Sequence, residues 1–317
     1  MDIFASPEDI PADYGSAAVG IGNFDGVHRG HRVVLSRLAE VAEQRGLKSI
    51  AVTFDPHPRA VHRPEAAVEQ ICSLSQRLAL IGGLGIDATV VQQYSLEWAD
   101  QSAERFVLDY LVRGLRAAVL VVGSDVRFGR DNSGDLATLM RLGAEHGFEV
   151  VVIDEVGVGA RYSSTSIRRR IEAGDVRGAA EELGYNHALM GEVVHGEKRG
   201  REMGFPTANL DIGADGLVPA DGVYAGWMTF PARGLRLPTA ISVGTNPTFH
   251  GHVRTVEGHA IDVEFGDLDV YGETMEVEFV DRIRGQVAFR GMEPLIAQMH
   301  ADVDRARAVL GLQTPFS

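Results

Sequence analysis

Two histidines, His28 and His31, are separated only by Arg29 and Gly30 and follow the run Gly22-Asn23-Phe24-Asp25-Gly26-Val27. Residues three apart lie on one face of a helical turn, so both imidazoles can address one ligand. A helix starting here points its free N–H groups and the positive end of its dipole at the same spot. Such a convergence suits the negative charge that builds up at a phosphate during group transfer. Gly22 and Gly26 free the turn, Phe24 and Asp25 lie within it, and Gly30 removes a side chain from the ligand's path. A pair of surface histidines at a helix start remains an alternative. So does a metal site with His57 as a further ligand.

Other segments carry phosphate-handling chemistry. Ser164, Thr165 and Arg168 offer hydroxyls and a cation at a helix start, which suits triphosphate oxygens as well as simple N-capping. Gly123-Ser124-Asp125-Val126-Arg127-Phe128-Gly129 ends an apolar run with polar groups, and Asp125 and Arg127 there can hold an adenosine or its ribose. Farther on, Gly196, Lys198 and Gly204 belong to a basic, glycine-rich flap able to fold over phosphates through backbone N–H groups. Thr207 and Asn209 supply hard oxygen donors suited to a magnesium ion held with a nucleotide. Glu257 is placed to take a proton from an attacking hydroxyl. Turn chemistry at Pro206–Asn209 and a surface ion pair between Glu257 and Arg254 fit these residues equally well. No glycine-spaced Gly-Lys-Ser/Thr occurs, which excludes the P-loop.

The elements that must position these residues come in two textures. Short β-branched runs at 17–21, 49–54, 88–92, 118–123 and 149–153 alternate with helical patterns at 33–45, 74–83, 103–113 and 137–146. Such alternation predicts a parallel sheet with helices on both faces, and ligands beyond the carboxyl ends of its strands. A helical segment over 166–183 follows. Strand-like runs at 188–195, 222–227, 239–243, 255–265 and 275–282, with turns between them, predict an antiparallel barrel. Apolar spacing over 292–310 predicts a terminal helix on that barrel. The boundary is expected near residue 186, giving domains 1–186 and 187–317.

Composition narrows the function classes. The chain has 317 residues and a net charge of −14, which disfavours nucleic acid as a partner. No apolar run reaches the ~20 residues of a membrane helix. The start carries acidic residues and no basic one, unlike a secretory signal. One cysteine, Cys72, rules out an intramolecular disulfide and a cysteine-rich zinc site, and a reducing cytoplasm is the expected location.

Taken together, these motifs resemble those of the prokaryotic bifunctional riboflavin kinase/FAD synthetase family over nearly the full length. Gly22 to His31, Phe54-Asp55-Pro56-His57-Pro58, Gly123 to Gly129 and Ser163 to Arg168 match its adenylyltransferase module. Gly204 to Asn209, Gly222-Val223-Tyr224, Thr245-Asn246-Pro247-Thr248-Phe249 and Val256-Glu257 match its kinase module. The resemblance implies a Rossmann-like α/β nucleotidyltransferase domain followed by a six-stranded riboflavin kinase-type barrel with a C-terminal helix. It implies phosphorylation of riboflavin to FMN by ATP, releasing ADP, and adenylylation of FMN to FAD with release of pyrophosphate. In that scheme His28 and His31 act at the ATP phosphates and Glu257 is the kinase base. Thr207 and Asn209 hold Mg2+ with the nucleotide, and Asn246 and Arg284 contact flavin. The chain departs from the family at Tyr185-Asn186-His187, Val126 and Gln286. A kinase with a degenerate first half and a non-catalytic flavin or nucleotide binder are the competing expectations. The oligomeric state is left open, a homo-oligomer included.

Overall fold

The protein is described from a computed structural model covering residues 1–154, 162–196, 205, 207–211, 216–248, 251–263 and 270–313, with the side chains of 246–248 and 251–253 outside that description. Two compact units form, one from Met1–Gln70 and Leu74–Ser163, the other from Ile71–Ser73 and Ser164–Ser317.

The first unit is built on six parallel strands: β1 (Asp2–Phe4), β2 (Ala17–Ile21), β3 (Lys48–Asp55), β4 (Ala88–Gln93), β5 (Ala117–Gly123) and β6 (Glu149–Ile153). Their order in the sheet is β1-β4-β3-β2-β5-β6. β3 is buried at six consecutive positions, as expected of a strand covered on both faces. One apolar layer packs Val19, Ile50, Val52 and Leu120 against Phe106 and Leu111. The opposite layer packs Ala18, Ala51 and Val121 against Leu35 and Leu38 of helix α1 (Arg29–Arg45). Helices α2 (Leu74–Gly82) and α3 (Leu136–His146) complete the expected helical segments. Two differences stand out. The edge strand β1 is too short to leave a period. The helix expected over 103–113 is one α turn, Ala103–Arg105, continuing as a π-helix, Phe106–Gly114. Its wider turn stacks the Phe106 and Tyr110 rings at 5.6 Å.

The order of the sheet matters for ligand binding. From β2 the chain runs outward on one side through β3 and β4, then returns to place β5 on the other side of β2. The carboxyl ends of β2 and β5 therefore flank the crevice where strand order reverses, the usual ligand position in such sheets. The loops 22–28 and 124–129 both leave from there.

In the second unit, β7 (Ala188–Val194), β8 (Ala208–Leu210), β9 (Gly222–Phe230), β10 (Leu235–Thr248), β11 (Gly251–Ala260) and β12 (Thr274–Gly285) close an antiparallel barrel in the order β10-β11-β8-β7-β12-β9. Tyr224, Met228, Phe230, Ile241, Val256, Met275, Val277 and Phe279 fill its interior. β8 occupies part of the segment whose composition also fitted a turn: Asn209 is a strand residue, and Pro-Thr leads into it.

The helical segment over 166–183 is two helices, α4 (Ser164–Ala173) and α5 (Val176–Leu183). Gly174 is left-handed at φ 80°, and the Asp175 carboxylate caps α5 by accepting from the Gly178 N–H at 2.9 Å. Val176 joins the apolar cluster of the barrel. The C-terminal helix α6 (Met292–Val309) lays Val303 and Ala306 over Val223, Ala225, Ala240 and Ile283 on the barrel's outer side.

Candidate functional site

In the first unit, β2 delivers the chain into a loop of unusual backbone. Phe24 (φ 48°), Gly26 (φ 74°) and Val27 (φ 33°) all lie in the left-handed region, which is costly for a β-branched valine. Burial holds the loop in that shape: Phe24 and Val27 sit in the apolar layer under α1, and Asp25 is only 1% exposed. From below, the Thr53 hydroxyl donates to the Asn23 carbonyl at 2.9 Å.

The loop ends at His28, which caps α1: its Nδ1 accepts from the His31 N–H at 3.3 Å. Capping and ring placement are therefore one arrangement. The two imidazoles stack at 3.7 Å with planes 18° apart, and the Phe24 ring meets His31 edge-on at 5.4 Å. His28 is 6% exposed and His31 half-buried, so the pair is not a set of surface histidines. Gly30 matters here chiefly for packing, because a Cβ on it would stand 3.1 Å from His28 Cε1. Gly22 likewise makes room for the Phe24 ring. Burial first, then the charges of His28 and Arg77, hold the His31 imidazole well below the usual histidine range. His31 is thus neutral near pH 7, with a buried Nδ1 that has no hydrogen-bond partner among the described residues. Because His28 Nδ1 accepts, a neutral His28 carries its proton on Nε2, as a donor for an anion.

The remaining first-module candidates fall as follows. Asp125 and Arg127 are exposed on the loop after β5, and Arg127 donates to the Val126 carbonyl. That loop is anchored by Phe128, which packs 5.7 Å from Phe106 within an aromatic array that includes Phe54, Tyr94 and Trp98. Ser164, Thr165 and Arg168 open α4, whose residues belong to the second compact unit. Arg168 is buried, whereas Arg170 of the same triplet is tied to Glu182 and Asp175. Among the described residues no group of three or more His, Cys, Asp or Glu could hold a metal ion, which removes the histidine-metal alternative there.

In the second unit, strand register brings the kinase candidates together. Glu257 of β11 is paired with Asn209 of β8. Side chains of directly opposed residues point to one face with Cβ atoms about 4.5–5.5 Å apart. Val256, Ala260, Ala208 and Leu210 are buried inward, so Glu257 and Asn209 share the outer face and are half-buried. Thr207 immediately precedes β8. On the other flank Glu257 pairs with Ser242 of β10, whose hydroxyl accepts from Gln286 at 3.3 Å. Gly196 abuts Asn209 so closely that a Cβ would stand 2.3 Å from its amide nitrogen. Arg254 is engaged with Asp221 and the carbonyls of Val218 and Pro219, so it is not the ion-pair partner expected for Glu257. An odd separation along a strand puts Arg254 and Glu257 on opposite faces.

Arg284 forms a two-pronged ion pair with Asp302 of α6, at 2.6–3.0 Å. Its guanidinium thus joins the terminal helix to the barrel. Asn246 lies in β10 opposite Val253, with its side chain outside the description. Lys198 and Gly204 fall outside the described residues.

One residue of this neighbourhood carries no signal in the sequence. Arg77 of α2 is completely buried, and it donates to the Thr53 hydroxyl and the Phe54 carbonyl, each at 3.1 Å, and to Gln70 Oε1. An arginine at a helix position reads as surface until the fold buries it.

Residues 10–166 match the family model for FAD synthetase, and residues 183–310 match that for riboflavin kinase. A bifunctional riboflavin kinase/FMN adenylyltransferase of Escherichia coli K12 is 35% identical over 93% of this chain and 93% of its own. The Pseudomonas fluorescens protein of the same description is 35% identical over 98% of each chain. A Streptococcus pneumoniae crystal structure described as a macrolide-efflux protein superposes with a TM-score of 0.86 at 29% identity, over 96% of this chain and 98% of that one. With both family models matched in order and relatives aligned almost end to end, the chain belongs to the bifunctional riboflavin kinase/FMN adenylyltransferase family.

Proposed function

We infer that the chain makes flavin cofactors in two steps, each using ATP. The kinase step transfers the γ-phosphoryl group of ATP to the ribityl 5′-hydroxyl of riboflavin, giving FMN and ADP. In the adenylyl step an FMN phosphate oxygen attacks the α-phosphorus of a second ATP, and the bond to the β-phosphate breaks, giving FAD and pyrophosphate. The observation that carries this reading is the pairing of Glu257 with Asn209 on the outer face of the barrel.

In the kinase step Glu257 takes the 5′-hydroxyl proton as the oxygen attacks the γ-phosphorus. Thr207 and Asn209 hold the magnesium–nucleotide complex. A hydroxyl and an amide oxygen are the hard donors such an ion takes, and the tight seat of Asn209 against Gly196 supports the assignment. Magnesium, when bound, offsets charge on the phosphates. Gly196, Lys198 and Gly204 line the nucleotide flap, and Asn246 and Arg284 serve the flavin side, Arg284 while joined to Asp302.

In the adenylyl step His28 donates through Nε2 to the phosphate oxygens, and His31 fixes its ring and completes the donor set with the N–H groups of the first turn of α1. Gly22, Phe24, Asp25, Gly26 and Gly30 shape this cradle. Asp125 and Arg127 address the nucleoside, and Ser164, Thr165 and Arg168 the phosphates. The functional division is placed at residue 186, with adenylyl transfer in 1–186 and the kinase in 187–317. The family models, ending at 166 and beginning at 183, leave most of α4 and α5 unassigned. No described helix is long and apolar enough to cross a membrane, and Cys72 is buried and in no disulfide. We place the enzyme in the cytoplasm, with flavins and adenine nucleotides as its partners.

The test is incubation with riboflavin and ATP, with and without magnesium, followed by chromatography of the flavins. FMN and then FAD are expected only with the metal. Unchanged riboflavin in its presence overturns the reading.

A further inference from the structure

Neither the histidine pair nor the loop backbone explains Arg77. Its side chain is 0% exposed. Its hydrogen bonds go to neutral oxygens only, Thr53 Oγ1, Phe54 O and Gln70 Oε1, and no carboxylate pairs with it among the described residues. Its Nε is buried without a partner among the described residues. A guanidinium stays charged in proteins, and a desolvated charge without a counter-ion is costly. Carboxylates normally solve this, as Asp302 does for Arg284. Here the missing anion has to come from elsewhere.

The geometry says where. Arg77 Nη1 donates to Thr53 Oγ1, and that hydroxyl donates on to the carbonyl of Asn23 in the loop leading to His28. The guanidinium therefore sits one hydroxyl behind the loop, in a dry interior where its field is weakly screened. The titratable or charged groups acting on His31 are His28 from its own turn and Arg77 from α2, while the Phe24 ring covers it edge-on.

We propose that Arg77 is a positioning residue for adenylyl transfer: a permanent buried cation that braces the Gly22–Val27 loop through Thr53 and whose counter-ion is the polyphosphate of the bound nucleotide. The arrangement keeps His31 neutral, with the fixed positive charge supplied from behind. The inference rests on the first unit transferring AMP, so the unaltered protein is first shown to convert FMN and ATP to FAD and pyrophosphate. Failure there removes the reading, whereas the variants below test Arg77 alone.

Steady-state kinetics of FAD formation are measured at pH 6 and pH 8 for Arg77→Met, Arg77→Gln and Arg77→Lys. The two neutral variants are expected to raise KM for ATP at least tenfold at pH 8. The defect persists at pH 6, because burial, the larger cause, still keeps His31 neutral once Arg77 is gone. Arg77→Lys keeps the charge and is expected to stay within about threefold of the parent KM at both pH values. Equal loss in charged and neutral variants means a purely structural residue and sinks the proposal. If the neutral variants do not fold, Thr53→Val decides, because it cuts the link between Arg77 and the loop while keeping the side chain's shape. A raised KM for ATP in FAD formation is expected, and the parent KM overturns the idea.

Discussion

Glu257 on β11 stands directly across the ladder from Asn209 on β8, with Ser242 of β10 on its other flank. A proton acceptor and an oxygen ligand, far apart in the chain, thereby share the outer face of one barrel wall. Neither side chain is part of the barrel's apolar interior, so each can be changed with little effect on packing.

Glu257→Ala is expected to lower riboflavin phosphorylation by about 10²–10⁴-fold, the usual worth of a general base. Adenylylation of supplied FMN continues at the parent rate. Chromatography of flavins from the two separate substrates checks both halves, and phosphorylation at the original rate would require a different base.

Gly196→Ala forces a Cβ to within 2.3 Å of the Asn209 amide. The atoms it meets are the end of the Asn209 side chain, so the amide has to turn aside and the cost to stability is expected at or below about 1 kcal/mol. Thermal unfolding should register the loss, and the KM for ATP in FMN formation should rise. A variant with parent stability and KM would show that Asn209 has room to move.

His28 combines a cap with a donor, and two substitutions separate the roles. Asparagine is a good N-cap without an imidazole, so His28→Asn is expected to keep stability and lose about 10²–10³-fold in FAD formation. His28→Ala should lose the same activity and about 1 kcal/mol of stability as well. FMN formation continues in both. If His28→Asn makes FAD normally, the ring is there only to cap the helix.

His187 gives the barrel an acid limit. Its ring is wholly buried, with Nε2 2.7 Å from the Leu217 carbonyl, and burial lowers its pKa to about 4 although the carbonyl bond opposes that shift. The unfolded chain binds a proton below about 6.5 that the folded chain refuses until about 4, so stability is full above the unfolded value and falls as pH drops through this window. The loss approaches about 3 kcal/mol at the acid end. Trp98 and Trp227 are the only tryptophans, one in each unit, so Trp98→Phe leaves fluorescence that reports on the barrel alone. Denaturant midpoints followed this way should fall between pH 7 and pH 5, and His187→Gln should flatten the slope.

Much of this was legible beforehand because periodicity is a local property. The strand Ala17–Ile21 and the boundaries of β6 follow directly from short β-branched runs. The break at Gly174-Asp175 was not read, although glycine followed by a capping aspartate carries that signal. β8 escaped because three strand residues beside Pro and Thr look like a turn until two neighbouring strands bond to them. Glu257 was recognisable as a carboxylate near an alternating run, but only β-sheet register could choose Asn209 over Arg254 as its neighbour. The aromatic support beneath Phe128 was invisible for the same reason, since its members come from several distant segments.

By itself the amino-acid order determined which residues can do chemistry and which elements carry them, because residue type, glycine placement and apolar spacing act within a few residues of one another. Tertiary structure alone decided what burial and distance decide. It made His31 a neutral imidazole under a stacked partner, set Glu257 against Asn209, and turned Arg77 from an ordinary helix arginine into a buried charge awaiting an anion. Desolvation and Coulomb interactions depend on separation in space, and the fold sets that separation.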